Sequence, residues 1–308
     1  MNMLLISVIM PCFNAEHHLR KSINSVFNQT YPNIELIVIN DGSSDGSLQI
    51  LKSLSDTRLT VLDQPNLGVC KTRNRGILAA KGEFIAFLDA DDTWRPECLK
   101  KLYQALATNQ SAALAYCGWR NIGLRGGAGQ PYVPPDYETM DKLAALFQNC
   151  LWPIHACLSR KNVIIEAGLF DESILTSEDF LLWLKIGSQN NLIRVPEVMA
   201  FYHFHNGEQA TQNKEKIALN HWYAQQKFLQ QNPEIIPMLG KSKIRQLMHG
   251  ELLHRGFQCY WNSDLKTART IFRKVMMQGY GSIKEWIYML PSLLPFTLHR
   301  SLILLFSR

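Results

Sequence analysis

Three carboxylates arrive within four residues at Asp89-Ala90-Asp91-Asp92, directly after the apolar run Phe84-Ile85-Ala86-Phe87-Leu88. A continuous apolar run of that length suits a strand covered on both faces. Carboxylates at the end of such a strand must meet cations, water or hydrogen-bond donors, because burying them unpaired is costly. Two chemistries are open: a divalent metal site holding a phosphate at the carboxyl end of a parallel strand, or an acidic turn that caps the next helix. A second carboxylate pair, Glu178-Asp179, follows Thr176-Ser177 at the start of a helical pattern. Such a pair can simply complement the helix dipole. His203 and His205 are two apart and so share one face of an expected strand.

The elements that position these residues alternate. Ser7–Met10 reads as a first strand ending at Pro11-Cys12-Phe13-Asn14, with Asn14 expected to cap a helix carrying Leu19, Ile23, Val26 and Phe27. Ile34–Ile39 is a second strand, and the polar turn Asn40-Asp41-Gly42-Ser43-Ser44-Asp45-Gly46 leads into a second helix. Thr60–Leu62 is a third strand; Asn66-Leu67-Gly68 opens a helix carrying Lys71, Arg73, Asn74 and Arg75, with Gly82 expected to close it. The Asp89 strand comes next, then a helix with Pro96 in its first turn. This is an α/β pattern, and it predicts a mostly parallel sheet with right-handed crossovers.

Beyond a strand at Ala113–Trp119 the alternation lapses. Residues Gly123–Tyr137 hold four glycines and three prolines and are expected to form a flexible surface loop, a candidate lid. A helix over Met140–Asn149 and strands at Ile154–Ser159, Leu192–Val195 and Val198–His205 follow. From His221 the pattern turns helical. The apolar segment Trp286–Phe306 is broken by Pro291, Pro295 and His299-Arg300. Its pieces are too short to span a bilayer, which takes about 20 residues. It predicts either a helix in the membrane interface, with Lys284, Arg300 and Arg308 near headgroups, or a helix docked on the protein or on a partner.

The 308 residues allow one large domain with an appendage, or two domains. Seven scattered cysteines without a Cys-x-x-Cys pair argue for a reducing compartment and against a zinc site or disulfide framework. The apolar run Met3–Met10 lacks a basic leader and stops at Pro11, so it predicts a strand rather than a signal peptide, and a cytoplasmic protein. The net charge of +6 is uneven: from Lys241 onward eleven Lys or Arg face three acids, leaving residues 1–239 slightly acidic. A basic tail on an acidic main body favours an anionic membrane surface over nucleic acid as partner; a solvated basic helical face is the alternative.

Taken together, Ser7–Asn14, Asn40–Asp45, Gly68 to Arg73-Asn74, Gly82-Glu83-Phe84, Asp89-Ala90-Asp91-Asp92, Gly168-Leu169-Phe170-Asp171-Glu172 and Glu178-Asp179 resemble the family 2 inverting glycosyltransferases of the GT-A fold. The resemblance runs from Ser7 to about Thr211. It implies a Rossmann-like, mostly parallel central sheet flanked by helices over residues 1–215, and a helical C-terminal extension over 216–308. It implies transfer of a sugar from a UDP or dTDP sugar to a glycan or lipid-linked glycan hydroxyl, assisted by Mn²⁺ or Mg²⁺, whose hard character suits oxygen ligands. Asp91 would contact the metal, with Asp89 facing the ribose or reaching the ion through water. His205 would touch metal or diphosphate. Pro11, Phe13, Asn14, Asp41, Arg73 and Ala90 would line the nucleotide sugar, Asp41 accepting the ring N3 hydrogen of uracil or thymine. Asp179 would be the base that takes the acceptor's proton, and Glu178 would raise its basicity or hold the acceptor. Asp92 is expected to cap the next helix.

Two positions depart from the pattern: His203 stands where many relatives carry arginine, and Asn40 replaces the first of two frequent aspartates. Histidine is largely neutral near pH 7, so the diphosphate contact is affected. The competing functions are a nucleotidyltransferase, which would carry a glycine-rich basic loop after strand one, and a non-catalytic module that binds a nucleotide sugar.

Overall fold

The structure is a computed structural model that describes residues 3–123, 128–174, 176–205 and 213–306, with only the backbone for 302–306. The chain divides into two units, Met1–Ser173 with Leu181–Gly207, and Ile174–Phe180 with Glu208–Arg308.

The first unit is built on one eight-stranded sheet. Its strands are β1 (Ile6–Cys12), β2 (Ile34–Asp41), β3 (Leu59–Gln64), β4 (Phe84–Phe87), β5 (Thr93–Trp94), β6 (Ala112–Ile122), β7 (Cys157–Arg160) and β8 (Asn191–His203), in the order β3-β2-β1-β4-β7-β6-β8-β5. β1 to β4 pair in parallel, as do β6 and β8; β7 runs antiparallel to β4 and β6, and β5 to β8. Helices α1 (Leu19–Phe27), α2 (Ser47–Lys52), α3 (Val69–Ala79), α4 (Cys98–Thr108), α5 (Lys142–Gln148) and α6 (Lys161–Glu166) flank it, and α7 (Glu178–Gln189) starts in the second unit's segment. β4 is buried at every position, and Phe87 packs edge-on against Phe170 with ring centroids 5.3 Å apart. Each such buried side chain contributes about 1.5–3 kcal/mol, so the strand that delivers Asp89 and Asp91 is firmly seated.

Several local expectations are corrected. Asn14 does not cap α1: His18 stands at that position without a side-chain cap bond, while Asn14 adopts φ 48°. Gly82 does not close α3, which ends at Ala79 with Ala80 already extended. A Cβ on Gly82 would lie 2.6 Å from both Leu5 O and Ser7 Oγ, so the glycine serves close packing against β1. The strands expected at 192–195 and 198–205 are one strand, β8, which ends at His203. Pairing with β6 jumps from Cys117↔Val195 to Gly118↔Val198, leaving Pro196 and Glu197 in the irregularity where proline needs no ladder bond. Ile154–Ala156 forms a 3-10 turn ahead of β7. The loop after β6 is partly tied down: Trp119 and Tyr132 exchange backbone hydrogen bonds of 2.9 Å, and Tyr137 is buried. Its residues 124–127 lie outside the described residues, as do Arg308 and the expected end of the resemblance near Thr211.

The second unit is helical: α8 (Lys214–Gln231), α9 (Ile235–Leu239), α10 (Lys241–Arg245), α11 (Glu251–Trp261), α12 (Leu265–Met277), α13 (Ile283–Met289) and α14 (Phe296–Phe306). Asn213, Asp264 and Ser282 cap α8, α12 and α13, the last in a reciprocal capping box with Glu285. α11 and α12 approach closely at Gly256, where a Cβ would come within 2.9 Å of Ile271 and Phe272. Among the described residues no helix is long and apolar enough to cross a membrane.

Candidate active site

The turn after β4 sorts its three carboxylates. Leu88 N–H donates to Ile9 O, Asp92 N–H to Asp89 O, and Ser22 Oγ to the carbonyl of the buried Ala90, which pins the turn at the carboxyl ends of β1 and β4. Asp89 and Asp91 keep 29% and 27% of their side chains exposed, whereas Asp92 is completely buried.

Asp92 therefore does not cap a helix; α4 begins six residues later, with Glu97 at its N-cap position. Its Oδ1 accepts the backbone N–H of His203 at 2.9 Å. Its Oδ2 lies 3.0 Å from Nδ1 of His155, also buried, an ion pair whose alignment falls short of a hydrogen bond. Burial opposes a charge on His155, but Asp92, followed by Asp89 and Asp91, outweighs it and holds the imidazole above its ordinary pKa.

Asp89 accepts a hydrogen bond from Arg73 at 2.8 Å. The Arg73 side chain is 4% exposed and its guanidinium lies over the Phe170 ring, 5.5 Å from the centroid. Next to Arg73, Asn74 donates to Phe170 O and accepts from Phe170 N–H, both at 2.9 Å. The Arg73-Asn74 pair thus locks Gly168-Leu169-Phe170-Asp171-Glu172 to α3; Gly168 and Leu169 take positive φ there.

Asp91 meets His205, whose Nε2 lies 3.0 Å from Oδ2. Burial, and then the charges of Asp92 and Asp89, raise the Asp91 carboxyl above the usual range. The ring of His205 stacks on that of His18. His203 Nε2 lies 2.8 Å from Thr93 Oγ1. Burial, followed by the positive groups Lys21, His155, His18 and His205, lowers its pKa to about 4, so it is neutral near pH 7.

Beyond β1 and β2 lies the second cluster. Phe13 is 52% exposed. Asn14 Oδ1 accepts from Ser44 N–H at 2.8 Å, and its own N–H donates to Ser43 Oγ at 3.0 Å, so it braces the turn after β2. Pro11 sits in β1 opposite Ile39. Asp41 is buried and accepts from Gln64 Nε2 at 2.7 Å, Leu67 N–H at 2.9 Å and Gly68 N–H at 3.0 Å. A carboxylate offers about four acceptor positions, so about one remains for a ligand. Asn40 donates to Asp63 at 2.7 Å, which accounts for its type: an aspartate there would face another carboxylate.

Glu178 and Asp179 occupy the first turn of α7, in the segment that groups with the second unit. Ser177 precedes them at φ 65°, and Thr176 Oγ1 accepts from Asn220 at 2.7 Å.

The pairs brought together are thus Asp89 with Arg73 and Asp91 with His205. Reading the sequence missed His18, His155, Thr93 and Asp63, single residues far from any motif; only the fold reveals them. Among the described residues no three His, Cys, Asp or Glu side chains gather as a metal cluster. Asp91 and His205, with Asp89 nearby, nonetheless fit an ion of the Mg²⁺ or Mn²⁺ type. Such ions are held by one or two carboxylates together with substrate phosphates and water rather than by a complete protein cage.

Residues 7–162 match the model of Glycosyl transferase family 2. The UDP-Glc:alpha-D-GlcNAc-diphosphoundecaprenol beta-1,3-glucosyltransferase WfgD of Escherichia coli is 35% identical over 192 residues, covering 61% of this chain and 72% of that protein. S. aureus TarS 1-349 in complex with UDP-GlcNAc is similar in structure, with TM-score 0.59 at 18% identity over 90% of this chain and 92% of that one. The mannosyltransferase PcManGT of Pyrobaculum calidifontis, in complex with GDP-Man and Mn²⁺, has TM-score 0.61 at 16% identity over 96% of this chain and 82% of that one. The structural likenesses identify the fold as GT-A; with the family model matching half of the sequence, the chain belongs to glycosyl transferase family 2.

Proposed function

We propose that this glycosyltransferase moves a sugar from a UDP or dTDP sugar to a hydroxyl of a glycan or lipid-linked glycan, inverting the anomeric carbon. The observation that carries the reading is the pairing of Asp91 with His205 at 3.0 Å beside Asp89, itself held by Arg73 at 2.8 Å. Asp91 and His205 would hold Mn²⁺ or Mg²⁺, with Asp89 toward the ribose or acting through water. Such an ion, when bound, supplies Lewis-acid neutralisation of the diphosphate charge.

The remaining work falls to the chain. Phe13 offers an exposed ring for the base to stack on, Asn14 and Pro11 shape the same edge, and Asp41 has an acceptor position for the base. Arg73 serves the nucleotide by fixing Asp89, next to Ala90. Asp179 takes the proton of the acceptor hydroxyl, and the adjacent Glu178 charge raises its basicity. His203, neutral, braces Thr93 rather than supplying a permanent charge. In this assignment residues 1–215 are the catalytic domain and residues 216–308 a helical C-terminal extension.

The relatives support the donor class: WfgD is named for UDP-Glc and a diphosphoundecaprenol-linked acceptor, and TarS is recorded with UDP-GlcNAc. An NMR assay of the product tests the stereochemistry. A β-linked product from an α-linked nucleotide sugar supports the reading, and an α-linked product overturns it. Release of the sugar 1-phosphate with transfer of the nucleoside monophosphate would indicate nucleotidyl transfer, and no turnover of any nucleotide sugar a binding module.

A further inference from the structure

The second unit presents an apolar surface that its own elements leave open. Ile283, Ile287 and Leu290 are spaced i, i+4, i+7 along α13 and the following 3-10 turn, and are 84%, 63% and 47% exposed. Tyr288 and Leu293 extend the patch, and the Trp261 ring at the end of α11, 65% exposed, lies 5.7 Å from that of Tyr288.

Cations border it. Lys284 follows Ile283 on α13 and is exposed, and Arg273, exposed on α12, donates at 2.8 Å to the carbonyl of Ser292, next to Leu293. From Leu265 to the end of the sequence seven Lys or Arg face one acid, Glu285. That acid is engaged in the capping box of α13.

We infer that this face binds an anionic lipid surface. Three occupants could cover it. A span across the bilayer needs about 20 apolar residues, whereas α13 has seven and proline follows at 291 and 295. A second copy docked through the same face would set like-charged borders against each other. An anionic interface satisfies both halves of the surface: the aliphatic side chains enter the acyl boundary, Trp261 and Tyr288 take the amphipathic layer, and the cations meet headgroups. The inference is independent of the donor chemistry.

The test is sedimentation of the full chain with vesicles of phosphatidylcholine alone or mixed with phosphatidylglycerol. The wild type is expected to pellet with the mixed vesicles. Ile287→Glu with Leu290→Glu should cut the bound fraction by about tenfold or more, and Lys284→Ala by about fivefold. Both sites are exposed, so an unchanged circular dichroism spectrum and nucleotide release to a soluble acceptor identify a folded, competent variant. Wild-type protein that stays in the supernatant overturns the inference, as does equal pelleting of the wild type and the double variant. Light scattering showing a dimer that the double variant splits overturns it in favour of a second copy.

Discussion

The ring of His18 lies stacked on that of His205, centroids 4.5 Å apart and planes 26° apart, while His205 faces Asp91 at 3.0 Å. His205 lies beyond the end of β8. The stack from the start of α1 orients the ring from the side away from Asp91's contact atom. His18 is a positioning residue, and losing such a partner usually costs about 10–100-fold in metal affinity or activity. His18→Ala is expected to raise the Mn²⁺ concentration for half-maximal turnover by about tenfold. His18→Phe, which keeps the stack, should recover most of it; equal metal dependence in all three proteins contradicts this role.

Asp91 is held against its own ionisation. A carboxyl whose folded pKa is raised binds more protons folded than unfolded between its ordinary and raised values, so its charge lowers stability as pH rises through that window. Asp91→Asn should therefore melt higher than wild type at neutral pH while losing transfer. A variant that melts lower, or keeps full activity, disagrees with this assignment.

Asp92 carries stability rather than chemistry. Asp92→Ala strips His155 of its partner inside the protein, at a cost of about 3–5 kcal/mol in denaturant titration. Asp92→Asn retains an acceptor for the His203 N–H and should cost less. Because His155 is raised, the ion pair contributes fully below the ordinary histidine pKa of 6.5 and is lost as pH rises through the folded value. The gap between wild type and Asp92→Asn should thus narrow toward alkaline pH; a constant gap argues against a charged His155.

His203 acts with the opposite sign. Its folded pKa of about 4 lies below the ordinary 6.5, so between those values the unfolded chain binds more protons and stability falls as pH falls. Replacing it by glutamine should flatten the melting temperature across that interval. An unaltered slope would assign the acid sensitivity to other groups.

Much of this was legible in the residues. The apolar run before Asp89 and the repeated strand, turn and helix forecast the sheet, because burial pattern and period are local properties. The sorting of Asp89, Asp91 and Asp92 was not, since it depends on His155, Arg73 and His203, brought in by β7, α3 and β8. Asn14 misled for a related reason: cap chemistry is the same whether an asparagine serves its own helix or, as here, the turn at Ser43-Ser44. Two strands were read where β8 is one, because a proline in a paired strand becomes tolerable only when the partner's register can jump. Nor does sequence reveal that Ile174–Phe180 groups with Glu208–Arg308, a matter of contacts distant along the chain.

Titrating a UDP sugar into wild type, Asp91→Ala and Asp179→Asn in the presence of Mn²⁺, with turnover measured on the same samples, separates donor binding from proton removal. Asp179→Asn should bind the donor like wild type and lose about 10²–10⁴-fold in turnover, as removal of a general base does, while Asp91→Ala should lose both binding and turnover. Wild-type turnover in Asp179→Asn, or undiminished metal-dependent donor binding in Asp91→Ala, would contradict these roles.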